Sequence, residues 1–387
     1  MSHIDALIAR LAPDGVPFVP LGDVGTLVRG SGMPKSDFSE SGVGCIHYGQ
    51  IYTHYGAWAT ETISFVPPEK AARLVRVDPG DVIITNTSEN LVDVCKAVAW
   101  LGAGPIVTGG HATVLKHDQD PKYLSYYLQT PEFFAGKRAH AAGTKVIEVS
   151  ATNLARVRVP LPPREVQAEI VRILDSFQEL EAELEAELEA RRTQYAHYRA
   201  EVVSCNDEAE WTRLGDIATI GTGSHDTKDA VLDGAYVFYA RGRDPLRLDS
   251  FDFDEKAIIT AGDGVGVGKV FHFAAGRYAL HQRAYRIAPG DGVDPRYVYH
   301  YLVADFARYL ERTSVQSSVT SLRRPMFLRY PIPLPPIQEQ RHIASVLDSF
   351  DALVNDLSSG LPAEIAARRQ QYEHYRDRLL TFREART

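Results

Sequence analysis

The run Gly262-Asp263-Gly264-Val265-Gly266-Val267-Gly268-Lys269 is where this sequence comes nearest to catalytic chemistry. A phosphate-binding loop needs GxxxxGK followed by Ser or Thr, so that backbone N–H groups cradle the phosphates and the hydroxyl meets a metal. Here Asp263 stands at the first glycine position and Val270 follows Lys269. The run also fails GxGxxG, so a glycine-rich β-turn is the better reading. The 13 histidines form no HExxH or HxH pair, which argues against a metal site. No GxSxG elbow occurs. Asp254-Glu255-Lys256 lacks an acidic partner at nuclease-like spacing and reads as solvated surface. Cys45, Cys95 and Cys205 are far apart and odd in number, which suits buried thiols in a reducing compartment. The residues thus offer no catalytic constellation and point to a binding or scaffolding protein.

The elements that would position any binding residues come next. A length of 387 residues predicts two or three domains, and 44% apolar residues is enough for packed cores. Mean hydropathy is -0.20 and no window nears ~18 consecutive apolar residues, so a membrane span is not expected. Met1 to Leu11 has no basic n-region and no long apolar stretch, which argues for a cytoplasmic protein. The net charge of -8 hides its distribution. Residues 159–208 hold 5 Lys/Arg against 12 Asp/Glu, whereas residues 17–158 hold 13 of each. The acidity is therefore local, and the neutral segments retain room for a basic face.

The chain repeats itself. Leu161-Pro162-Pro163, Gln167 and Leu174-Asp175-Ser176-Phe177 recur as Leu334-Pro335-Pro336, Gln340 and Leu347-Asp348-Ser349-Phe350. After an offset that grows by four, Arg191, Arg192, Tyr195, His197 and Tyr198 recur as Arg368, Arg369, Tyr372, His374 and Tyr375. Apolar residues step by three and four through both copies, which predicts long helices starting after Pro163 and Pro336. Ser358, Ser359, Gly360 and Pro362 should break or kink the second. A helix of ~40 residues with one apolar stripe needs a partner, and its own repeat is the natural one. The tyrosines are expected to pack in that coil. Glu179, Glu183 and Glu187 read equally as solvated surface or as a face for a basic partner.

The segments before the helices also echo one another. Phe18-Val-Pro-Leu-Gly-Asp23 matches Trp211-Thr-Arg-Leu-Gly-Asp216, and Gly30-Ser31 matches Gly223-Ser224. Ile46-His47-Tyr48 resembles Val237-Phe238-Tyr239, Pro79-Gly80-Asp81 resembles Ala261-Gly262-Asp263, and His111 falls near His281. Short β-rich runs between Gly and Pro complete each globule. The expected fold is α+β: two similar globules on two long helices in an antiparallel intramolecular coiled coil with a pseudo-two-fold axis. The expected boundaries are 1–158 (with an N-terminal helix), 159–208, 209–332 and 333–387.

Two PLPP helix starts that end in ARRxQYxHYR, each after a variable globule opening with LGD, resemble the specificity (S) subunit of type I restriction–modification systems. The resemblance spans essentially the whole chain. It implies target recognition domains on conserved spacer helices, and no catalysis by this chain itself. It implies an asymmetric bipartite site in double-stranded DNA and two modification (M) subunits that methylate adenine N6 from S-adenosylmethionine. Restriction (R) subunits using ATP and Mg are an optional further partner. This chain would bind no cofactor of its own.

Base readout then needs polar side chains on loops that enter the grooves. In the first globule the candidates are Ser31, Lys35, Tyr48, Gln50, Thr85, Asn86, Thr87, Ser88, Asn90, His111, Lys137, Arg138 and Lys145. In the second they are Ser224, His225, Lys228, Arg241, Arg243, Lys269, Gln282, Arg283, Gln316, Ser317, Ser318, Arg323 and Arg324. Gln50 and Arg241 each follow a Tyr by two and are read as equivalent. Residues 137–145 form the densest basic stretch of their globule and suit phosphates. The competing reading is a degenerate or silent scaffold that holds M subunits without reading DNA.

Overall fold

Each long helix begins where its proline directs. In the computed structural model, which describes residues 3–204, 210–264, 266–313, 322–356 and 358–385, Pro163 precedes a 41-residue helix and Pro336 caps a 19-residue one. The helices used below are α1 (His3–Leu11), α2 (Pro121–Tyr127), α3 (Pro131–Arg138), α4 (Arg164–Ser204), α5 (Pro295–Thr313), α6 (Ile337–Asn355) and α7 (Leu361–Leu379). At 1.5 Å per residue α4 is about 60 Å long. The break between α6 and α7 falls at the Ser/Gly/Pro cluster. Gly360 is forced there, because a Cβ would lie 2.5 Å from the Ala352 carbonyl oxygen.

The chain divides into two compact units. The first comprises Met1–Glu183 with Ala366–Thr387 and the second Leu184–Ile365. In the first, a five-stranded sheet has Ala112–His117 between Gly25–Arg29 and Val82–Thr85, followed by Ala97–Trp100 and Trp58–Ala59. A four-stranded sheet orders Ser64–Val66, Val43–Ile46, Ile106–Thr108 and Val75–Val77. Val82–Thr85 and Ala97–Trp100 are buried along their whole length, which is why they read as unbroken apolar runs. The second unit has one six-stranded sheet, ordered Ala218–Thr222, Ala284–Pro289, Phe253–Ala261, Phe271–Leu280, Tyr236–Tyr239 and Leu246–Leu248.

Each globule docks on its long helix by the same device. Asp120 and Asp294 cap α2 and α5, accepting the N–H groups two and three residues on at 2.9 and 3.0 Å. Tyr123 donates its hydroxyl to the Pro160 carbonyl and Tyr297 to the Pro333 carbonyl, each at 2.9 Å. Asp175 accepts from Lys122 at 2.7 Å and from Tyr126 at 2.6 Å. Asp348 accepts from Arg296 at 2.8 Å and from His300 at 2.7 Å. Tyr123, Tyr126, Leu154, Ile170 and Leu174 share one core; Tyr297, Tyr301, Phe327, Tyr330 and Ala344 share the other.

Within the first unit α7 runs antiparallel to α4, because Phe177 meets Tyr375 whereas Glu181 meets Arg369 at 2.5 Å. Within the second, Leu184, Leu188 and Tyr195 of α4 share a core with Leu347, Val354, Leu361 and Ile365. The fold is therefore α+β, with two similar globules on long helices paired antiparallel. The apolar stripe is less complete than its periodicity implies, since Val346 and Leu353, seven residues apart on one face of α6, are exposed. Asp254-Glu255-Lys256 follows the solvated reading at exposed Asp254 and Lys256 and departs from it at half-buried Glu255. Glu255 accepts from Arg286 at 2.6 Å and Tyr278 at 2.9 Å, and Asp254 accepts from Arg277 at 3.0 Å. They lie within Phe253–Ala261, whose ladder partners present those cations across the strands.

Candidate nucleic-acid interface

The β-ladders define which loop residues are equivalent. Ala112 faces Thr85 in one unit and Ala284 faces Ala261 in the other. One residue on, Asn86 donates its N–H to the His111 carbonyl and Gly262 donates its own to the Arg283 carbonyl, both at 2.8 Å. Val149 and Leu322 then donate to the carbonyls of Asn86 and Gly262. Thr87 is therefore the counterpart of Asp263, and His111 of Arg283. Thr108 pairs in parallel with Ile46, and Leu280 with Tyr239. Tyr48 thus matches Arg241, and Gln50 matches Arg243.

Three sequence echoes are corrected by this register. Ile46 corresponds to Tyr239, not Val237, so Gln50 and Arg241 are not equivalent. His111 corresponds to Arg283, not His281. Asp263 corresponds to Thr87, not Asp81. Each error comes from matching residue letters across loops of unequal length, whereas the hydrogen-bond ladder counts residues from a shared strand. The Gly30-Ser31 and Gly223-Ser224 match stands. A Cβ on Gly30 would collide with the Gly109 carbonyl oxygen, and one on Gly223 with that of Leu280.

At the matched positions the two units carry different chemistry. In the first, the Tyr48 and His111 rings lie 5.0 Å apart and the Thr87 hydroxyl is 3.0 Å from His111 Nδ1. His111 itself sits in the left-handed region at φ 66°, which turns its exposed side chain out of the strand end. In the second, Asp263 accepts from Arg241 Nη1 at 2.8 Å on one oxygen and from Arg283 Nη1 at 3.2 Å on the other. Burial alone would raise the Asp263 pKa, but the two guanidinium groups outweigh it and hold it below the usual carboxylate range.

Neighbouring loops join each cluster. Ser31 is exposed and donates to the Arg73 carbonyl, and the His47 pKa is lowered mainly by burial, with exposed Lys35 adding to it electrostatically. Gln50 is occupied locally, since its oxygen accepts the His47 N–H and its amide donates to Ser64. Ser88 pairs with Ile147 in a two-stranded ribbon, and exposed Lys145 precedes that ribbon. Ser224 and His225 both meet Asp252, at 3.1 and 3.3 Å. Gln282 donates to Asp226 at 3.0 Å, and the His281 imidazole accepts the Arg283 N–H at 2.9 Å. Gly266, beside the turn that presents exposed Lys269, approaches the Arg241 backbone. Lys228, Arg243, Arg323 and Arg324 are exposed. Gln316, Ser317 and Ser318 lie outside the described residues.

Four expected readers are withdrawn by burial, among them Thr87, which is 7% exposed. Thr85 donates to the Lys96 carbonyl, and Asn86 bridges the Val149 carbonyl and the Thr113 hydroxyl at 2.8 Å each; both are fully buried. Lys137 is 3% exposed and donates to the carbonyls of Val92 and Val94, and burial pushes its ammonium pKa down. Asn90 is exposed but braced on Asp93. Arg138, next to Lys137 at the end of α3, is exposed. The ion pair of Asp263 with Arg283 was not legible in sequence, because only the ladder brings the two together. Among the described residues no group of three His, Cys, Asp or Glu is placed to hold a metal, and no helix is long and apolar enough to cross a membrane.

A fold built twice, each time presenting a polar loop cluster at the same strand ends of a sheet docked on a long helix, defines a two-headed recognition protein. Residues 13–190 and 206–367 both match the type I restriction modification DNA specificity domain, and the chain belongs to that family as a DNA sequence-specificity subunit. It is 30% identical over 301 residues to the EcoR124I/EcoR124II specificity subunit of Escherichia coli, covering 67% of this chain and 70% of that protein. Among solved structures, the S subunit from M. genitalium superposes with a TM-score of 0.57 at 13% identity, over 95% of this chain and 96% of that one. The HsdS subunit from Thermoanaerobacter tengcongensis gives 0.52 at 17% identity, over 96% and 97%.

Proposed function

We propose that this chain reads an asymmetric bipartite duplex site, one half with each globule, and positions two M subunits for adenine N6 methylation. The observation that carries the reading is the pair of equivalent loop clusters with unlike side chains: Tyr48 and His111, with buried Thr87 bracing the His111 ring, against Arg241, Asp263 and Arg283. Equivalent placement supports two reading heads; unlike chemistry supports two different half-sites. R subunits, where present, would use the same assembly for cleavage.

The chain itself acts without catalysis in this proposal. S-adenosylmethionine belongs to the M subunits and ATP with Mg to the R subunits, and extrusion of the target adenine into an M subunit couples reading to chemistry. The proposed division is two recognition domains, residues 1–158 and 209–332, and two spacer segments, 159–208 and 333–387, working in the cytoplasm. The remaining DNA-facing set is Ser31, Lys35, Tyr48, Ser88, His111, Arg138 and Lys145, with Ser224, His225, Lys228, Arg241, Arg243, Lys269, Gln282, Arg283, Arg323 and Arg324.

The test is an adenine-methylation map of the host genome with and without this gene. Loss of one asymmetric bipartite motif is the expected result. Exchange of residues 17–158 for those of a different subunit should then change one half of it. An unchanged map in the presence of active M subunits would favour a scaffold that no longer reads DNA.

A further inference from the structure

We propose that Arg283 is a base-reading side chain of the second globule, that it reads guanine of a G·C pair, and that Asp263 is the positioning residue that aims it. This rests on the DNA-reading function proposed above. Arg283 is 62% exposed at its side chain, yet it is not free to wander, because Nη1 is held by Asp263. Only one of its five N–H donors is engaged there, so a fork of donors remains for a ligand. That fork matches the O6 and N7 acceptors that guanine shows in the major groove.

Asp263 needs a second cation to do this. With Arg283 alone it would cancel the charge that draws the loop to DNA. Arg241, 39% exposed, occupies its other oxygen and leaves the three-residue cluster net positive. The backbone supports the same geometry: the Gly262 N–H is tied to the Arg283 carbonyl, and the Arg283 N–H to the His281 ring. The Asp263–Arg283 ion pair already restrains both side chains, which reduces the rotamer entropy lost on binding. The first globule carries Thr87 and His111 at these two ladder positions, with no fixed positive charge, so this mode of reading is confined to one half-site.

The experiment uses the full complex of this chain with its M subunits. The methylation motif of the unaltered complex is determined first. Duplexes carrying that motif and single base-pair replacements at each G·C pair of the second half are then compared in competition binding. Arg283→Ala should lose about tenfold or more of its preference for G·C at one position, and leave the other half-site unchanged. Asp263→Asn removes a negative charge from the DNA face, so total affinity should hold or rise while that preference falls. A residue with only a structural role would lower affinity without changing which base pair is preferred. If Arg283→Ala assembles poorly, Arg283→Lys keeps the charge but not the planar fork and should show the same loss of preference. Unchanged preference in these variants overturns the proposal. Absence of any bipartite motif in the unaltered complex would instead overturn the underlying reading.

Discussion

Phe177 of α4 stacks on Tyr375 of α7, with ring centroids 5.3 Å apart and planes 25° from parallel. The second unit contains the reciprocal contact: Phe350 of α6 lies 5.2 Å from Tyr198 of α4. Each repeat donates its Phe to the tyrosine of the other copy, which is what an intramolecular helix pair built from one duplicated motif requires. A double-mutant cycle on Phe177→Ala and Tyr375→Ala should give a coupling of about 0.5–1.5 kcal/mol in urea unfolding. The cycle on Phe350 and Tyr198 should give a similar value. A coupling near zero in both would mean that these rings pack without specific interaction.

Gln167 and Gln340 join each globule to its helix. Gln340 accepts the Asp294 N–H at 2.8 Å and donates to the Pro335 carbonyl at 2.7 Å, while Gln167 accepts the Asp120 N–H at 3.1 Å and donates to the Pro162 carbonyl at 2.8 Å. Both are buried. Gln340→Leu keeps the bulk but leaves a donor and an acceptor unpaired, so it should cost about 1–3 kcal/mol. Calorimetry of the variant reads this as a lower unfolding temperature.

Stability should fall as acid is added, beginning near pH 6.5. Burial lowers the His300 pKa from 6.5, outweighing the Asp348 carboxylate that raises it. Its carboxylate partner fixes the proton on Nε2, and Nδ1 is buried with no hydrogen-bond partner among the described residues. A lowered histidine pKa means the unfolded chain binds the proton more readily. The contribution is therefore intact above pH 6.5 and lost as pH falls through the folded value. His117, also lowered by burial, acts in the same direction. His300→Gln should flatten, without abolishing, the loss of unfolding temperature between pH 7 and pH 5. An unchanged slope would remove His300 from this account.

Lys137 and Arg138 should separate cleanly despite being neighbours. Lys137→Met leaves the Val92 and Val94 carbonyls without their donor and should destabilise by about 1–3 kcal/mol. It should not change the salt dependence of DNA binding. Arg138→Ala and Lys145→Ala should each reduce the slope of log affinity against log salt by about 1, across all sequences. A titration of duplex binding against salt distinguishes them.

Cys45 and Cys95 should resist thiol reagents in the native chain. Burial pushes Cys45 up to about 11 and Cys95 up to about 12, so the thiolate is scarce at neutral pH. Alkylation followed by mass spectrometry should mark both only after denaturation. Cys205 lies outside the described residues.

The helices and the repeat were legible because their signals are local and redundant. Proline starts, three-and-four periodicity and the Leu-Asp-Ser-Phe block each fix a position within one or two turns of helix. Tyr195, Tyr198, Tyr372 and Tyr375 could be assigned to packing for the same reason. The Lys137 side chain could not be placed from sequence. Its composition suits a phosphate grip, and only its burial against two carbonyls shows otherwise.

The sequence by itself determined the order globule, helix, globule, helix and the family resemblance, because these depend on period and repeated blocks. Only the tertiary structure decided that Thr87 answers to Asp263, His111 to Arg283 and Tyr48 to Arg241. Strand pairing brings together Arg241 and Arg283, 42 residues apart in the chain, and its register is set by hydrogen bonds between distant strands. Loops between those strands differ in length, so letter matching slips by two to six residues where the ladder does not.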